Sequence, residues 1–454
     1  MPPVDNEING KLALVTGASG GIGKACATDL WSQGAHLALT YTTNLASVTS
    51  LVAALRAASP DRPASHISVH ALDLASQASI EALFAALSEH HGRPAPDILV
   101  SNAGTAGFGN RANPHLEAIS LDEFDYTIAI NLRAAFLLAK LTVPHMKARR
   151  WGRIVYVSSI SAIGGGINGC HYAASKAGLT GLMKNLAAKH AKDGITVNDV
   201  APAMIGDTGM IPDEKRVEGT PGDPTRPRPR RLTRAPPPPS IGKACATDLW
   251  SQGAHLALTY TTNLASVTGL VAALRAASPD RPASHVSVHA LDLASQASIE
   301  ALFAALSAHH GRPAPDILVS NAGTAGFGNR ANPRLEAISL HEFDYTIAIN
   351  LRAAFLLAKL TVPHMKARRW GRIVYVSSIS AIGGGITVND VAPAMIGDTG
   401  MIPDEKRVEG TPGDVKNIPV GRLGTPQECA NVVTMLCRTG YMTGQSILLS
   451  GGLK

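Results

Sequence analysis

Most of this 454-residue chain consists of a duplicated sequence, and the second copy lacks one segment that the first contains. Residues 22–167 recur as 241–386 with five differences, and residues 195–223 recur unchanged as 386–414. The offset between the copies falls from 219 to 191 residues, so 28 residues are missing from the second copy. A repeat of this length is domain-sized, unlike the roughly 20–50 residues of a solenoid repeat. Function therefore has to be argued for each copy separately.

The first copy alternates short apolar runs, typical of buried strands, with longer helical stretches. The predicted strands are 12–16, 36–40, 66–72, 97–101, 153–158 and 196–200. The predicted helices are 22–34, 47–58, 79–90, 121–150 and 172–193. Strands that alternate with helices indicate an α/β protein with a doubly wound parallel sheet that is covered on both faces.

Residues 224–239, PTRPRPRRLTRAPPPP, interrupt this pattern, because proline has no N–H to donate to a helix or a central strand. Five arginines in this segment account for most of the net charge of +7, so we interpret it as a basic linker and not as a nucleic-acid tail. The five cysteines form no C-x-x-C pair, and no apolar run approaches the roughly 20 residues of a membrane span. These features favour a cytoplasmic protein that binds neither nucleic acid nor membrane.

A glycine-rich turn, Thr16-Gly-Ala-Ser-Gly-Gly-Ile-Gly23, follows the first predicted strand and opens a helix. Glycines allow a pyrophosphate to approach the backbone, and a helix N-terminus supplies N–H groups and a positive dipole. The candidate cofactor-binding residues of this turn are Gly17, Ser19, Gly21, Ile22 and Gly23. An ordinary tight turn is the alternative, and the strand–turn–helix context disfavours it.

Two further groups lie at the carboxyl ends of strands. Asp73, followed by Leu74, closes the third strand, where its carboxylate can accept from an adenine amino group or simply cap the next helix. Asn102-Ala103-Gly104 ends the fourth strand, and a plain turn is its alternative reading. All five residues are candidate cofactor contacts.

Ser159, Tyr172 and Lys176 are the candidate catalytic set. Tyr172 and Lys176 are spaced i, i+4 and share one face of a helix. An ammonium beside a phenol favours the phenolate, so we expect the pKa of Tyr172 to be lowered towards working pH. Tyr172 would then act as general acid for an alkoxide, and Ser159, just past a strand end, would hold the carbonyl oxygen.

With these motifs, the first copy resembles the short-chain dehydrogenase/reductase family, and most of all its 3-oxoacyl-acyl-carrier-protein reductase branch. The resemblance implies that Asn131 supports a water and Lys176, and that Lys176 also holds the nicotinamide ribose. It further implies cofactor contacts by Pro202 and Thr208. The stretch Asn198-Asp-Val-Ala-Pro202 departs from the family pattern, because Ala203 stands where a glycine is usual.

The resemblance covers 1–223 and resumes at 415–454, which resembles the last helix and last strand of the family. The second copy, 240–414, keeps Asn321, Asn350 and Ser378 but has no Tyr/Lys pair and no first strand. Prolines 236–239 stand where the glycine turn should be. Because the first strand is central in this fold, we expect its loss to split the sheet. We also expect residues 415–454 to dock on the first copy.

The leading hypothesis is an NADP(H)-dependent reductase of a 3-oxoacyl thioester or other β-keto substrate, with no metal. NADP(H) is favoured over NAD(H) because Thr40-Tyr-Thr-Thr43 offers no carboxylate for a ribose 2′-hydroxyl. An alcohol or polyol dehydrogenase, a non-catalytic binding protein and a rearranged gene product remain open. The sequence is compatible with a homo-oligomer that acts on a small-molecule or acyl-thioester substrate.

Overall fold

The computed structural model describes residues 8–108, 114–159, 161–164, 168–193, 195–200, 241–327, 335–376, 388–393, 415–417, 422–423 and 446–449. The chain divides into two compact units. The first comprises 1–223 with 335–337, and the second comprises 224–334 with 338–454.

The first unit contains a parallel sheet of six strands in the order β3-β2-β1-β4-β5-β6. Its strands are β1 Leu12–Val15, β2 His36–Tyr41, β3 Ile67–Ala71, β4 Ile98–Ser101, β5 Gly152–Val157 and β6 Ile195–Val200. Its helices are α1 Gly21–Ser32, α2 Leu45–Ala58, α3 Gln77–His91, α4 Leu121–Ile128, α5 Ala134–Arg149, α6 Ser161–Gly164 and α7 Cys170–His190. The strand order changes direction at β1 and β4, as it does in a Rossmann-type fold. The predicted fold class is confirmed.

Local sequence explains where several helices begin and end. Ser120 caps α4, since its Oγ accepts the N–H of Glu123 at 3.0 Å. Ser76 caps α3 in the same way, and α3 ends at Gly92, whose φ of 64° is the left-handed conformation that glycine tolerates. A π-helical turn, Ala129–Arg133, joins α4 to α5, so the single helix predicted over 121–150 is interrupted.

The central strand β1 pairs in parallel with β2 on one side and with β4 on the other. All four of its residues are fully buried. Asp97, just before β4, holds the start of β1 from both directions: its Oδ2 accepts the Leu12 N–H at 2.9 Å, and its N–H donates to the Leu12 carbonyl at 2.9 Å. One core cluster therefore runs from α1 and α2 across β1 to β4.

The stretches Leu121–Arg149 and Leu340–Arg368 are each long and apolar enough, by composition, to cross a membrane. Two-thirds of the apolar window in the first is buried inside its unit. The central helix of a soluble protein passes the same test, so these helices are weak evidence for a membrane span.

The second unit repeats these elements without a counterpart of β1 among its described residues. Its helices are α8 Ile241–Ser251, α9 Leu264–Ala277, α10 Gln296–His310, α11 Leu340–Ile347 and α12 Ala353–Arg368. Its strands are β7 Leu256–Tyr260, β8 Val286–Ala290, β9 Ile317–Ser320, β10 Arg372–Val376, β11 Val388–Pro393 and β12 Ser446–Leu449. They form two separate parallel sheets, β7-β8 and β9-β10-β11-β12. The expected split of the second sheet is confirmed.

The predicted docking of the C-terminal segment is wrong. The last strand, β12, pairs with β11 of the second copy, with Val391 opposite Ile447, and not with β6 of the first copy. The edge of β11 has the same sequence as the edge of β6, so both copies offer β12 the same partner. Chain continuity then favours the nearer one, because a shorter loop costs less entropy to close.

Candidate active site

The glycine-rich turn lies between β1 and α1, and its tightness depends on two glycines. Gly17 has a φ of 67°, a conformation that side chains rarely adopt. A Cβ on Gly23 would lie 2.3 Å from the carbonyl oxygen of Gly17, so only glycine fits there. The helix α1 begins at Gly21, and its N-cap residue, Gly20, provides no side-chain cap. The first-turn N–H groups, which have no partner within the helix, suit a bound anion such as a pyrophosphate.

The ends of β1 and β4 are tied together by side-chain hydrogen bonds. The backbone N–H groups of Asn102 and Ala103 donate to Thr16 Oγ1 at 2.9 and 3.0 Å. The Asn102 side-chain amide donates to the carbonyl oxygens of Thr16 and Gly17, at 2.8 and 3.2 Å. The predicted cofactor residues of the turn and of the Asn102-Ala-Gly104 stretch are therefore brought to one edge of the sheet. Asn102 holds the turn in place with the same side chain.

Asp73 is exposed, just past the end of β3. Its Oδ1 accepts the N–H of Ala75 at 2.9 Å, and the cap of the following helix is Ser76. The reading of Asp73 as a simple helix cap is therefore wrong. Leu74, beside it, is buried. The carboxylate lies at the carboxyl edge of the sheet, where a cofactor amino group could reach it.

Ser159, Tyr172 and Lys176 meet where β5 ends and α7 begins. Ser159 follows β5, and its Oγ accepts the N–H of Ser161 at 3.1 Å and forms a hydrogen bond with the Tyr172 side chain. Tyr172 and Lys176 lie one turn apart on α7 and are 4% and 2% exposed. The Lys176 ammonium donates to the carbonyl oxygen of Val157 at 2.8 Å and lies 5.8 Å from the centre of the Tyr172 ring.

Burial decides the proton affinities of this pair. It raises the pKa of Tyr172 above its ordinary value, and the hydrogen bond with Ser159 only partly opposes that change. Burial also lowers the pKa of Lys176 to about 8. The expectation that the ammonium lowers the pKa of Tyr172 is wrong for this structure, because loss of solvent raises that pKa by more than the hydrogen bond with Ser159 lowers it. Tyr172 is accordingly a neutral phenol that carries a proton at physiological pH.

Asn131 lies in the π-helical turn and is 2% exposed. Its Oδ1 accepts the N–H of Thr105 at 2.8 Å, and its Nδ2 donates to the Thr105 carbonyl at 2.8 Å and to Ser175 Oγ at 2.9 Å. A Cβ on Gly104 would lie 3.0 Å from both Asn131 Oδ1 and Lys176 Nζ. Asn131 thus fixes the loop after β4 against α7 and lies next to the Lys176 ammonium.

Thr105 and Ser175 are the two partners of Asn131 that the sequence alone did not single out. Thr105 follows Gly104 and Ser175 precedes Lys176, so their position next to motif residues was the only sequence signal that could have identified them. Pro202 and Thr208 lie outside the described residues. Ser19 is in the turn, where its carbonyl accepts the Ser47 hydroxyl at 2.9 Å.

The second copy keeps fragments of this arrangement in an exposed setting. Asn350 makes the same two hydrogen bonds with Thr324, both at 2.8 Å, but it is exposed and the counterpart of Ser175 is among the missing residues. Ser378 lies outside the described residues. No tyrosine–lysine pair follows it in the sequence, so this copy has no proton donor equivalent to Tyr172.

Two family models match the chain. "Short chain dehydrogenase" matches residues 11–218, and "Enoyl-(Acyl carrier protein) reductase" matches residues 238–385 and 381–454. The first match spans the copy that carries Tyr172 and Lys176. The second spans the incomplete copy and the C-terminal segment.

Similar proteins of established name include two 3-oxoacyl-[acyl-carrier-protein] reductases. That of Pseudomonas aeruginosa is 36% identical over 212 residues, which cover 46% of this chain and 80% of the relative. That of Rickettsia felis is 35% identical over 199 residues, covering 44% and 74%. The levodione reductase of Leifsonia aquatica is 33% identical over 195 residues, covering 43% and 69%. A crystal structure of a levodione reductase is 31% identical, with a TM-score of 0.42 over 46% of this chain and 78% of that one.

Proposed function

Since the chain belongs to the short-chain dehydrogenase/reductase family, we propose that its first unit reduces a carbonyl group to a hydroxyl with NADP(H). The chain is an NAD(P)-dependent oxidoreductase. The observation that carries the proposal is the buried group at the end of β5. There the side chains of Tyr172 and Ser159 form a hydrogen bond, and the Lys176 ammonium lies one helical turn from Tyr172.

The residues of the first unit fit a dinucleotide. The turn at Gly17–Gly23 is too tight for a Cβ at Gly23, and the uncapped start of α1 presents N–H groups to a phosphate. Asp73 and Asn102 lie at the same edge of the sheet. Lys176, close to Gly104 and Asn131, would hold the ribose. When bound, the nicotinamide would supply the hydride.

The proton would come from the protein. Tyr172 holds its phenolic proton firmly, because burial raises the pKa of its hydroxyl. Ser159, which shares a hydrogen bond with Tyr172, would donate to the substrate carbonyl oxygen and keep it within reach of the phenol. As negative charge develops on that oxygen, Tyr172 would donate its proton, which is general acid catalysis. Lys176 would stabilise the negative charge left on the tyrosine.

The cofactor preference rests on the end of β2. Thr40 is buried, and its Oγ1 accepts the Gly17 N–H at 3.3 Å. The next residues, Tyr41, Thr42 and Thr43, bring no carboxylate to the place where a free ribose 2′-hydroxyl would be bound. A 2′-phosphate meets no negative charge there, which favours NADP(H) over NAD(H).

The substrate class is a 3-oxoacyl thioester or similar β-keto compound, supported by the names of two of the relatives. We place the protein in the cytoplasm, where it acts on a small molecule or acyl thioester and binds neither nucleic acid nor membrane. A homo-oligomer is compatible with this proposal. The sequence of the second unit carries no counterpart of the Tyr172–Lys176 pair.

The test is the variant Tyr172→Phe, assayed with NADPH and a 3-oxobutanoyl thioester. We expect turnover to fall by about 10²–10⁴, the usual contribution of a general acid, with NADPH affinity unchanged. Tyr156→Phe is the matched control, because Tyr156 is fully buried in β5 and its hydroxyl has no hydrogen-bond partner among the described residues. Turnover of Tyr172→Phe within a few-fold of the Tyr156→Phe value would refute the assignment.

A further inference from the structure

Among its described residues, the second unit contains both neighbours of a central strand without the strand itself. In the first unit, β1 lies between β2 and β4 and pairs with both. Their counterparts are β7 and β9. Among the described residues, β7 pairs only with β8, and β9 pairs only with β10. We call the place between β7 and β9 the strand slot.

The side chains that line the strand slot are more exposed than their counterparts in the first unit. Leu39, on β2, is fully buried, whereas its counterpart Leu258, on β7, is partly exposed. All four residues of β4 are buried, whereas all four of β9 are partly exposed. The sequences of the two pairs of strands are the same, so the difference comes from the parts that the second copy lacks, and β1 is the one that would lie directly between them. The exposed surface is apolar, and within the described part of the chain its strand edges are unpaired, which favours pairing with another strand.

The acidic residue that holds β1 is also retained in the second copy. In the first unit, the Asp97 side chain is 1% exposed and accepts the N–H of Leu12. Its counterpart, Asp316, is 27% exposed and lies 3.1 Å from Arg368 and 3.2 Å from His364. The carboxylate is positioned at the entrance of the strand slot, where the first N–H of an incoming strand would meet it.

Helices keep the two walls of the strand slot in their usual places. A Cβ on Gly242, at the start of α8, would lie 2.8 Å from Asn321 Nδ2, just past β9. The same relation holds between Gly23 and Asn102 in the first unit, at 2.9 Å. In addition, α10, which follows β8, packs against α12, and α12 packs against β9. The strand slot is thus part of a frame that persists without its central strand.

The chain itself offers no suitable strand at this point. By the spacing of the repeat, residues 231–234 correspond to Leu12–Val15, but they read Arg-Leu-Thr-Arg. Burying two unpaired arginines between apolar strands is costly. The next segment, prolines 236–239, cannot donate the ladder hydrogen bonds of a central strand.

We infer that the second unit is a strand acceptor, whose slot binds an extended, uncharged aliphatic segment of a separate polypeptide, parallel to β7 and β9. The walls are β7 and β9, and neither carries a charged side chain, so an apolar strand fits them. The occupant of the equivalent place in the first unit, Leu-Ala-Leu-Val, shows the composition required. A second copy of the chain is the less favourable occupant, because each chain has two such places and only one such strand.

The first experiment uses the full chain and a fluorescent synthetic peptide with the sequence of residues 8–19, which contains β1 and the start of its turn. We expect saturable binding with one site per chain. The matched control is the same peptide with Leu14→Pro, which removes a ladder N–H and should bind at least tenfold more weakly. Absence of saturable binding, or equal binding of the two peptides, would overturn the inference.

The second experiment tests location and register through disulfide formation. In the first unit, Val15 is opposite Val100, and the counterpart of Val100 in the second unit is Val319. The peptide carrying Val15→Cys should therefore form a disulfide with the full chain carrying Val319→Cys. By the same register, peptide Ala13→Cys should cross-link to the chain carrying Ile317→Cys. We expect matched pairs to form at least tenfold faster than mismatched pairs. Equal rates for all four combinations, or a self-associated chain that excludes the peptide, would refute a slot for a separate polypeptide.

Discussion

The duplication supplies an internal control for the glycine turn, through the variants Gly23→Ala and Gly242→Ala. In the first unit the new Cβ would lie 2.3 Å from the Gly17 carbonyl oxygen, where ordinary contact begins at 3.4 Å. The turn or α1 must therefore move by about 1 Å. In the second unit, among the described residues, the new Cβ would meet only the Asn321 side-chain amide, at 2.8 Å, which can rotate away.

Forcing one extra methyl group into a closely packed place costs about 1–3 kcal/mol. If this strain destabilises the conformation of the turn that binds the pyrophosphate, the affinity for NADPH falls by roughly 5- to 150-fold. This follows because about 1.4 kcal/mol of binding free energy corresponds to a factor of ten in affinity. For Gly242→Ala the helix gains about 0.5–1 kcal/mol from alanine in place of glycine. We expect that variant to bind NADPH like the unsubstituted chain.

The assay is a fluorescence titration of each variant with NADPH, after circular dichroism has shown that its helix content is unchanged. Unaltered affinity in Gly23→Ala would show that the turn does not need to be this tight to bind the cofactor. Equal losses in both variants would show that the second copy also takes part in cofactor binding. Either result refutes the reasoning.

Three further outcomes are expected. Lys176→Met should lower both turnover and NADPH affinity, and a titration that shows unchanged affinity would remove the role on the ribose. Ser159→Ala should cost at least tenfold in turnover, whereas Ser378→Ala should cost nothing in the same assay; equal losses would give the second copy a share in catalysis. Finally, burial and neighbouring positive groups lower the pKa values of His36 and His91 to about 4, from an ordinary 6.5. The unfolded chain therefore binds more protons in this range, and stability is present above pH 6.5 and is lost as the pH falls towards 4. Urea midpoints that do not fall over this range would contradict that expectation.

Much of the first unit could be predicted from the sequence because its local and global preferences agree. Each predicted strand is an apolar run next to glycine or polar residues, and each matches an observed strand to within about two residues. The Tyr172–Lys176 spacing placed both side chains on one face of α7. The π-helical turn at Ala129–Arg133 was not predictable, because nothing in the hydrophobic pattern marks it.

The proton affinities of the site could not be predicted from spacing alone. The nearby ammonium suggested a lowered pKa for Tyr172. The direction of the pKa shift, however, depends on how completely the Tyr172 ring and the Lys176 ammonium are removed from water. That is a property of packing, which leaves Tyr172 4% and Lys176 2% exposed. The sequence gives no measure of it. The helix-cap reading of Asp73 failed for a simpler reason, since Ser76 lies nearer to the start of the helix.

The pairing of β12 with β11 indicates that the edge strand, and not the completeness of the whole sheet, determines where this last strand pairs. A strand interacts mainly with the edge it joins, and the edges of β6 and β11 are the same in sequence. The defect of the second copy lies at the other end, beyond β9, and two strands separate β9 from β12. Losing β1 therefore does not weaken the edge of β11, and no gain from an intact core is available to draw β12 to β6. With equal edges, even the small entropic advantage of a shorter loop determines the pairing. The same separation means that a strand bound in the slot between β7 and β9 should leave the pairing of β11 and β12 unchanged.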